Sequence, residues 1–239
     1  GAGIDDEGGG EGEDAAASAR RRALIDYLRG VRSDEVAAGE TGGGFRARVS
    51  VLGDIVHSDP VFVGSADFGH AAATHPQLRD KRAAYVARRA SAAFRERPQM
   101  VYAGANDGML HAFDARSGRE RFAFVPNAVI DHLQLLADPL YMHRYYVDGP
   151  AAVSDAWLGG SWKTVLVGST GAGGRSYFAL DVENPRDSAE GGSIRPAQVL
   201  WEVEDADLGY SIGQAAIGMT ESGHWVAIFG NGYNSEQQR

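Results

Sequence analysis

The segment Val101-Tyr-Ala-Gly-Ala-Asn-Asp-Gly-Met-Leu-His-Ala-Phe-Asp-Ala-Arg-Ser-Gly118 constrains the fold more than any other part of the chain. An apolar run, 101–104, ends in Gly. Asn106, Asp107 and Gly108 then supply the residue types that tolerate the positive φ angles of a tight hairpin turn. Residues 109–113 read as the return strand. Asp114 opens a second turn, where its carboxylate can accept backbone N–H groups two residues on. Residues 119–124 complete a third strand.

The pattern recurs. Pro60-Val-Phe-Val-Gly64, Thr164-Val-Leu-Val-Gly168 and Trp225-Val-Ala-Ile-Phe-Gly230 are also apolar runs closed by Gly, and Gly104, Gly168 and Gly230 are spaced 64 and 62 positions apart. After Gly168, the turn Gly171-Ala-Gly-Gly174 leads into a strand ending Phe178-Ala-Leu-Asp181, which aligns with His111-Ala-Phe-Asp114. Asp181 takes the turn-forming place of Asp114. Strand, turn, strand, turn, strand is how one blade of a β-propeller is written. Segments rich in small residues, 58–61, 147–153 and 210–217, are expected as innermost strands, because blades converge near the axis. Residues 121–125 and 198–203 are expected as outer strands. A period near 63 is long for a blade and implies insertions. The expected fold is therefore all-β with helical insertions, a partial β-propeller of about two and a half blades.

Three regions are expected. Residues 1–17, Gly- and acid-rich, read as a disordered linker. Residues 18–44 read as a helix, 19–28, capped by Ser18 and ended by Gly30, followed by a flexible loop. Residues 45–239 carry the propeller. It is interrupted by a helical insertion at 67–98, where Leu78, Arg82, Tyr85, Val86 and Phe94 form a partial stripe over 77–95. A second helix is expected at 128–136, with Asn127 as its N-cap and Asp138-Pro139 as its stop. The last residues follow a second strand, so an unpaired sheet edge is expected there. With no initiator Met, the chain reads as part of a longer protein.

Net charge is -9, which argues against nucleic-acid binding as the main role. No apolar run is long enough to span a membrane. The absence of cysteine excludes disulfides, thiolate metal sites and cysteine catalysis.

Several clusters invite a chemical reading. His57 lies near Asp54 and Asp59, and His111 near Asp107 and Asp114. The first could be a metal or acid–base site and the second a dyad, yet each Asp is also explained as a turn former, and that structural reading is preferred. Gly168-Ser-Thr-Gly-Ala-Gly-Gly-Arg175 has the look of a phosphate loop. However, Gly174 stands where the lysine belongs and no helix is expected to follow, so it reads as a hairpin turn. Trp157, Trp162, Trp201 and Trp225 could line a surface, but Trp201 and Trp225 sit in strand patterns and suit packing between blades. Tyr141, His143, Arg144 and Tyr145 have the composition of an interface hot spot. They are the expected binding residues, together with the insertion at 67–98. Tyr145 and Tyr146 suit a buried strand entry nearly as well.

An ordered set of segments carries a family resemblance: Leu52-Gly-Asp-Ile-Val-His-Ser-Asp-Pro-Val61, the 101–114 hairpin, Tyr146-Val-Asp-Gly149, Trp162-Lys-Thr-Val-Leu-Val-Gly168, Gly173-Gly-Arg-Ser-Tyr-Phe-Ala-Leu-Asp181, Asp207-Leu-Gly-Tyr210 and Phe229-Gly-Asn-Gly-Tyr-Asn-Ser235. Taken in order they resemble the C-terminal propeller region of the PilC/PilY family of type IV pilus biogenesis factors. The resemblance implies a quinoprotein-like propeller and an exported protein of the outer membrane, cell surface or pilus tip. It implies promotion of pilus assembly, opposition to retraction and surface adhesion, with minor pilins and host or abiotic surfaces as partners and no enzymatic activity. It also implies calcium regulation in the full-length protein through an alternating Asp/Asn loop. No such loop occurs here: Asp205-Ala-Asp-Leu-Gly209 has only two carboxylates. Nor is there an Arg-Gly-Asp motif, since Arg29-Gly30 is followed by Val31. No cofactor is expected in this chain. Two other readings share the blade pattern. One is a quinone-dependent dehydrogenase, which would need calcium ligands and a catalytic Asp around one channel. The other is a periplasmic scaffold for outer-membrane assembly, which the insertions argue against.

Overall fold

The computed structural model describes residues 9–36, 44–185, 192–193 and 195–235. The chain divides into two compact units: residues 1–52 with 131–143, and residues 53–130 with 144–239.

In the first unit, α1 spans Gly9–Leu28. Helix therefore covers 9–17, part of the expected linker, and Ser18 is an interior residue rather than a cap; residues 1–8 lie outside the described residues. Ala15, Ala16 and Ala17 carry the highest intrinsic helix propensity and extend the helix past Ser18. Two short parallel strands follow, β1 (Glu35–Val36) and β2 (Phe45–Arg46). The first falls inside the expected flexible loop, whose residues 37–43 are outside the described set. Tyr27 and Phe45 are buried with rings 5.1 Å apart, and the Tyr27 hydroxyl donates to the Arg46 and Leu136 carbonyls. Arg48 ties the strands back to α1: its guanidinium pairs with Glu35 at 2.7 Å and lies over the Tyr27 ring.

The second unit holds three antiparallel sheets. The first contains β3 (Val61–Val63), β4 (Met100–Ala105), β5 (Met109–Asp114) and β6 (Glu120–Phe124) in simple meander order, with β10 (Gly192–Ser193) added in parallel outside β6. The second is a meander of β7 (Ala152–Leu158), β8 (Ser161–Ser169), β9 (Ser176–Asp181) and β11 (Val199–Glu204). The third is the hairpin β12 (Ala216–Met219) and β13 (Trp225–Ile228). Among the described residues no sheet closes on itself.

The small-residue segments are not inner strands. Strand begins only at Val61, Ala152 and Ala216, where those segments end. Their backbones instead cross the ends of neighbouring hairpins. At Gly149 a Cβ would collide with Ser169 Oγ, so the chain passes side-on where no side chain fits.

The insertion folds as 3₁₀ turns at His70–Ala72 and Pro76–Lys81, then α2 (Arg82–Ala90) and α3 (Ala92–Arg95). The expected continuous helix breaks at Ser91, whose extended backbone starts α3 and whose hydroxyl accepts the Phe94 N–H. Tyr85 and Leu78 pack on Trp162, joined by Trp157 and Trp225. His70 stacks on Trp162 at 4.9 Å and meets Tyr85 and Trp225 edge-on. Trp201 and Trp225 also pack on the apolar core of the second sheet, around Val165, Val167, Tyr177 and Ala179. Residues Asn127–Ala137 wind as 3₁₀ rather than α helix. Asn127 does not cap it: its backbone and side-chain amides both donate to Glu202, at 2.7 and 3.0 Å.

Candidate functional site

The turn between β4 and β5 is a hub. Asn106 is buried, and its backbone N–H donates to the Asp54 carbonyl while its side-chain amide donates to the Asp54 carboxylate at 2.9 Å. Its side-chain oxygen accepts the Tyr146 N–H at 3.0 Å. Asp107 accepts the Gly53 N–H at 2.7 Å. Local turn chemistry accounts for these residue types, and the tertiary structure uses them again to clamp segments 53–54 and 146 to the first sheet.

His111 lies beneath this turn on β5. Its Nε2 is 3.0 Å from Asp107 and its Nδ1 is 3.1 Å from Glu120. Burial disfavours charge on the ring, but the bonds to the two carboxylates outweigh it and raise its pKa to about 9. At neutral pH His111 is an imidazolium donating to both sides, with neither nitrogen open to a substrate. Asp114 takes no part. It closes its own turn by accepting the Arg116 and Ser117 N–H groups, and Arg121 holds its carboxyl far below the usual range. Glu120, which carries no sequence signal of its own, is the second acid.

His57, Asp54 and Asp59 do not form a cluster. Asp54 is bound to Asn106. His57 instead reaches Asp148, 91 positions away: its Nδ1 lies 2.5 Å from a carboxylate that is fully buried, and the same carboxylate accepts the Val56 and His57 N–H groups. The ring itself remains 63% exposed. It sits 5.8 Å from the half-exposed ring of Tyr145, beside exposed Ile55 and Val56. This is a surface of large side chains on irregular backbone, held still from below by Asn106, Asp107 and Asp148.

The four expected binding residues fall in different units. Tyr141 and His143 belong to the first, where the Arg46 guanidinium lies 4.3 Å from the Tyr141 ring centroid. Arg144 and Tyr145 belong to the second, and both are exposed. Tyr146, not Tyr145, enters the core. The glycine-rich 168–175 segment runs from β8 directly into β9, so it is a strand connection without a helix N-terminus. Asp181 forms its turn by accepting the Glu183 N–H and also pairs with Lys163 at 2.9 Å. Asp205 accepts the Asp207 N–H in a local turn. Among the described residues, no group of three or more His, Asp or Glu side chains is placed to hold a metal ion.

The largest charge cluster among the described residues gives no sequence signal. Arg88 on α2 forms a bidentate pair with fully buried Asp155, at 3.0 and 3.1 Å, and a second pair with Glu183. Arg97 reaches Glu183 and Thr164, and Thr164 donates to Asp155. Burial alone would raise the Glu183 carboxyl, but Arg88 and Arg97 hold it below its ordinary value. Burial lowers Arg97. Every member has a charged or hydroxyl partner, so the cluster fixes the insertion to the second sheet.

The family model for the PilY1 beta-propeller domain matches residues 52–238. The chain is 46% identical over 233 residues to a type IV pilus biogenesis factor PilY1 homolog of Xylella fastidiosa, covering 95% of this chain and 15% of that protein. It is 38% identical over 233 residues to the type IV pilus biogenesis factor PilY1 of Pseudomonas aeruginosa strain UCBPP-PA14, covering 95% and 18%. The crystal structure of the Pseudomonas aeruginosa PilY1 C-terminal domain aligns at a TM-score of 0.48 and 42% identity, over 61% of this chain and 27% of that one. The chain thus spans less than a fifth of the length of these curated relatives. Because the family match runs from Leu52 through all three sheets, the chain belongs to the PilY1 beta-propeller domain family.

Proposed function

We propose that this chain is a non-enzymatic part of a type IV pilus biogenesis factor, promoting pilus assembly or opposing retraction and mediating attachment to a surface. The observation that carries this reading is the family match over residues 52–238. The relatives are named for pilus biogenesis and not for a reaction. The three sheets are then two blades of a quinoprotein-like propeller and the first half of a third. The parent protein is exported to the outer membrane, cell surface or pilus tip, where minor pilins and a host or abiotic surface are its partners. Any calcium dependence belongs to the parent protein.

The site geometry supports a binding role. Buried Asp148 holds the His57 ring, and buried Asn106 holds the backbone at Tyr146 next to Tyr145, so contact there costs little ordering entropy. Arg144 and Tyr145 on the second unit, and separately Tyr141 and His143 on the first, are the proposed contact residues.

The test is surface piliation and twitching motility in cells whose parent gene lacks residues 100–230. Loss of surface pili, with the shortened protein still detected by immunoblot, is the expected result. Normal piliation and motility would overturn the assembly role. Tyr145→Ala then separates the two activities: with the side chain on the surface, it is expected to leave piliation intact and reduce attachment.

A further inference from the structure

Of the three Asx-Gly steps in this chain, Asp107-Gly108, Asp148-Gly149 and Asn231-Gly232, the first and the last are treated oppositely by the structure. Asp107 is tied to His111 and to the Gly53 N–H, and the Gly108 N–H donates to the Ala105 carbonyl. Neither the side chain nor the following nitrogen is available. Asn231 is exposed, and among the described residues neither its side chain nor the Gly232 N–H has a hydrogen-bond partner. The neighbouring backbone is fixed on both sides: Gly209 donates to the Asn231 carbonyl at 2.6 Å, and Tyr210 and Tyr233 exchange backbone bonds. Gly232 cannot be replaced cheaply. Its φ is +80°, and a Cβ there would collide with the Tyr210 carbonyl oxygen. Packing therefore preserves the residue that leaves the 232 nitrogen least hindered, next to an unprotected asparagine, a thermolabile residue type.

We propose that Asn231-Gly232 is a site of spontaneous covalent modification in the folded protein. The Gly232 nitrogen attacks the Asn231 side-chain carbonyl carbon. A bond forms between that nitrogen and Cγ, the Cγ–Nδ2 bond breaks, and Nδ2 leaves as ammonia, carrying the proton that Gly232 gave up. Water then opens the succinimide at either carbonyl, giving aspartate or isoaspartate. No oxidant or reductant is needed. Either product adds a negative charge. Isoaspartate also lengthens the backbone by one carbon between the Gly209 contact and the tight seat of Gly232, which loosens the Tyr210–Tyr233 pairing beside the third sheet.

The experiment is incubation of the native chain, and separately of the denatured chain, in mildly alkaline buffer, followed by peptide mapping and isoaspartyl methyltransferase labelling. The native chain is expected to gain about one dalton and an isoaspartyl label in the peptide containing Asn231, more slowly than the denatured chain because the backbone on both sides is hydrogen-bonded. The Asp107-Gly108 peptide is expected to gain an isoaspartyl label only when denatured. Asn231→Gln, whose extra methylene disfavours ring closure, should abolish the gain. Modification at 231 confined to the denatured chain, or absent from both, would overturn the proposal.

Discussion

The second unit is held together by charge in two places with opposite surroundings. Beneath the insertion, Arg88, Arg97, Asp155, Glu183 and Thr164 form a largely buried network in which two guanidiniums serve two carboxylates. At the β4–β5 turn, Asn106, Asp107 and His111 form a network that opens at one end to solvent through Glu120, whose side chain is 46% exposed. A buried ion pair is weak evidence for net stability, because desolvation offsets the attraction, but removing one partner strands the other charge. A partly wet, hydrogen-bonded network loses less, and it answers to pH. The first joint is therefore all-or-none and the second adjustable. Tyr145, one of the surface residues proposed for binding, adjoins the adjustable one through Tyr146, whose N–H bonds to Asn106.

The largest effect that would break this contrast is expected at Arg88. Arg88→Met leaves fully buried Asp155 without its cation and Glu183 with Arg97 alone, and should destabilise the unit by about 3–5 kcal/mol, read from denaturant unfolding. A loss below about 1 kcal/mol would show that water reaches the network and that the two joints are alike.

His111 comes next. Its folded-state pKa is raised from 6.5 to about 9. Its stabilisation is thus complete below pH 6.5 and is lost as pH rises through 9, a total on the order of 3 kcal/mol. Unfolding free energy measured across that window should fall in the native chain and stay flatter in His111→Gln. Equal slopes would remove the adjustable character of the turn.

Asn106→Ala is smaller, about 1–3 kcal/mol, because it orphans the buried Tyr146 N–H without stranding a charge. Hydrogen exchange should also quicken at Tyr146, which distinguishes loss of the clamp from general destabilisation. The smallest effect is Ser91→Ala, about 1 kcal/mol, since it removes the cap on α3 and one bond to the Arg88 carbonyl, with no charge involved. Seeing it as a local rise in exchange at Phe94, with the Arg88 network intact, would confirm that the insertion is anchored by its charges and not by its helix ends.

The legible parts are those set by near neighbours. The β4–β5 hairpin, the Asp114 turn and the repeat of the pattern in β8–β9 all lie within a few residues of the groups that cause them. The Ser18 cap fails because the alanines before it outweigh one good cap residue, helix propensity accumulating over a window. The Asn127 cap fails for another reason: the 3₁₀ turns begin at Asn127 itself, while Glu202, 75 positions away, takes its backbone and side-chain N–H groups. The small-residue segments are places of close approach, as expected, but they are not strands. Smallness records that something passes nearby, not the direction in which it passes.

By itself the sequence determined the antiparallel hairpins, their turn residues and the family, because alternation, turn chemistry and ordered motifs are written locally. Only the tertiary structure decided what the charged side chains are for. Arg88 meets Asp155 across 67 positions and Glu183 across 95, and His57 meets Asp148 across 91. No spacing rule links such pairs. Their partnership arises because burial makes an unpaired charge too costly to keep, and the fold supplies whichever opposite charge the packed chain brings within reach.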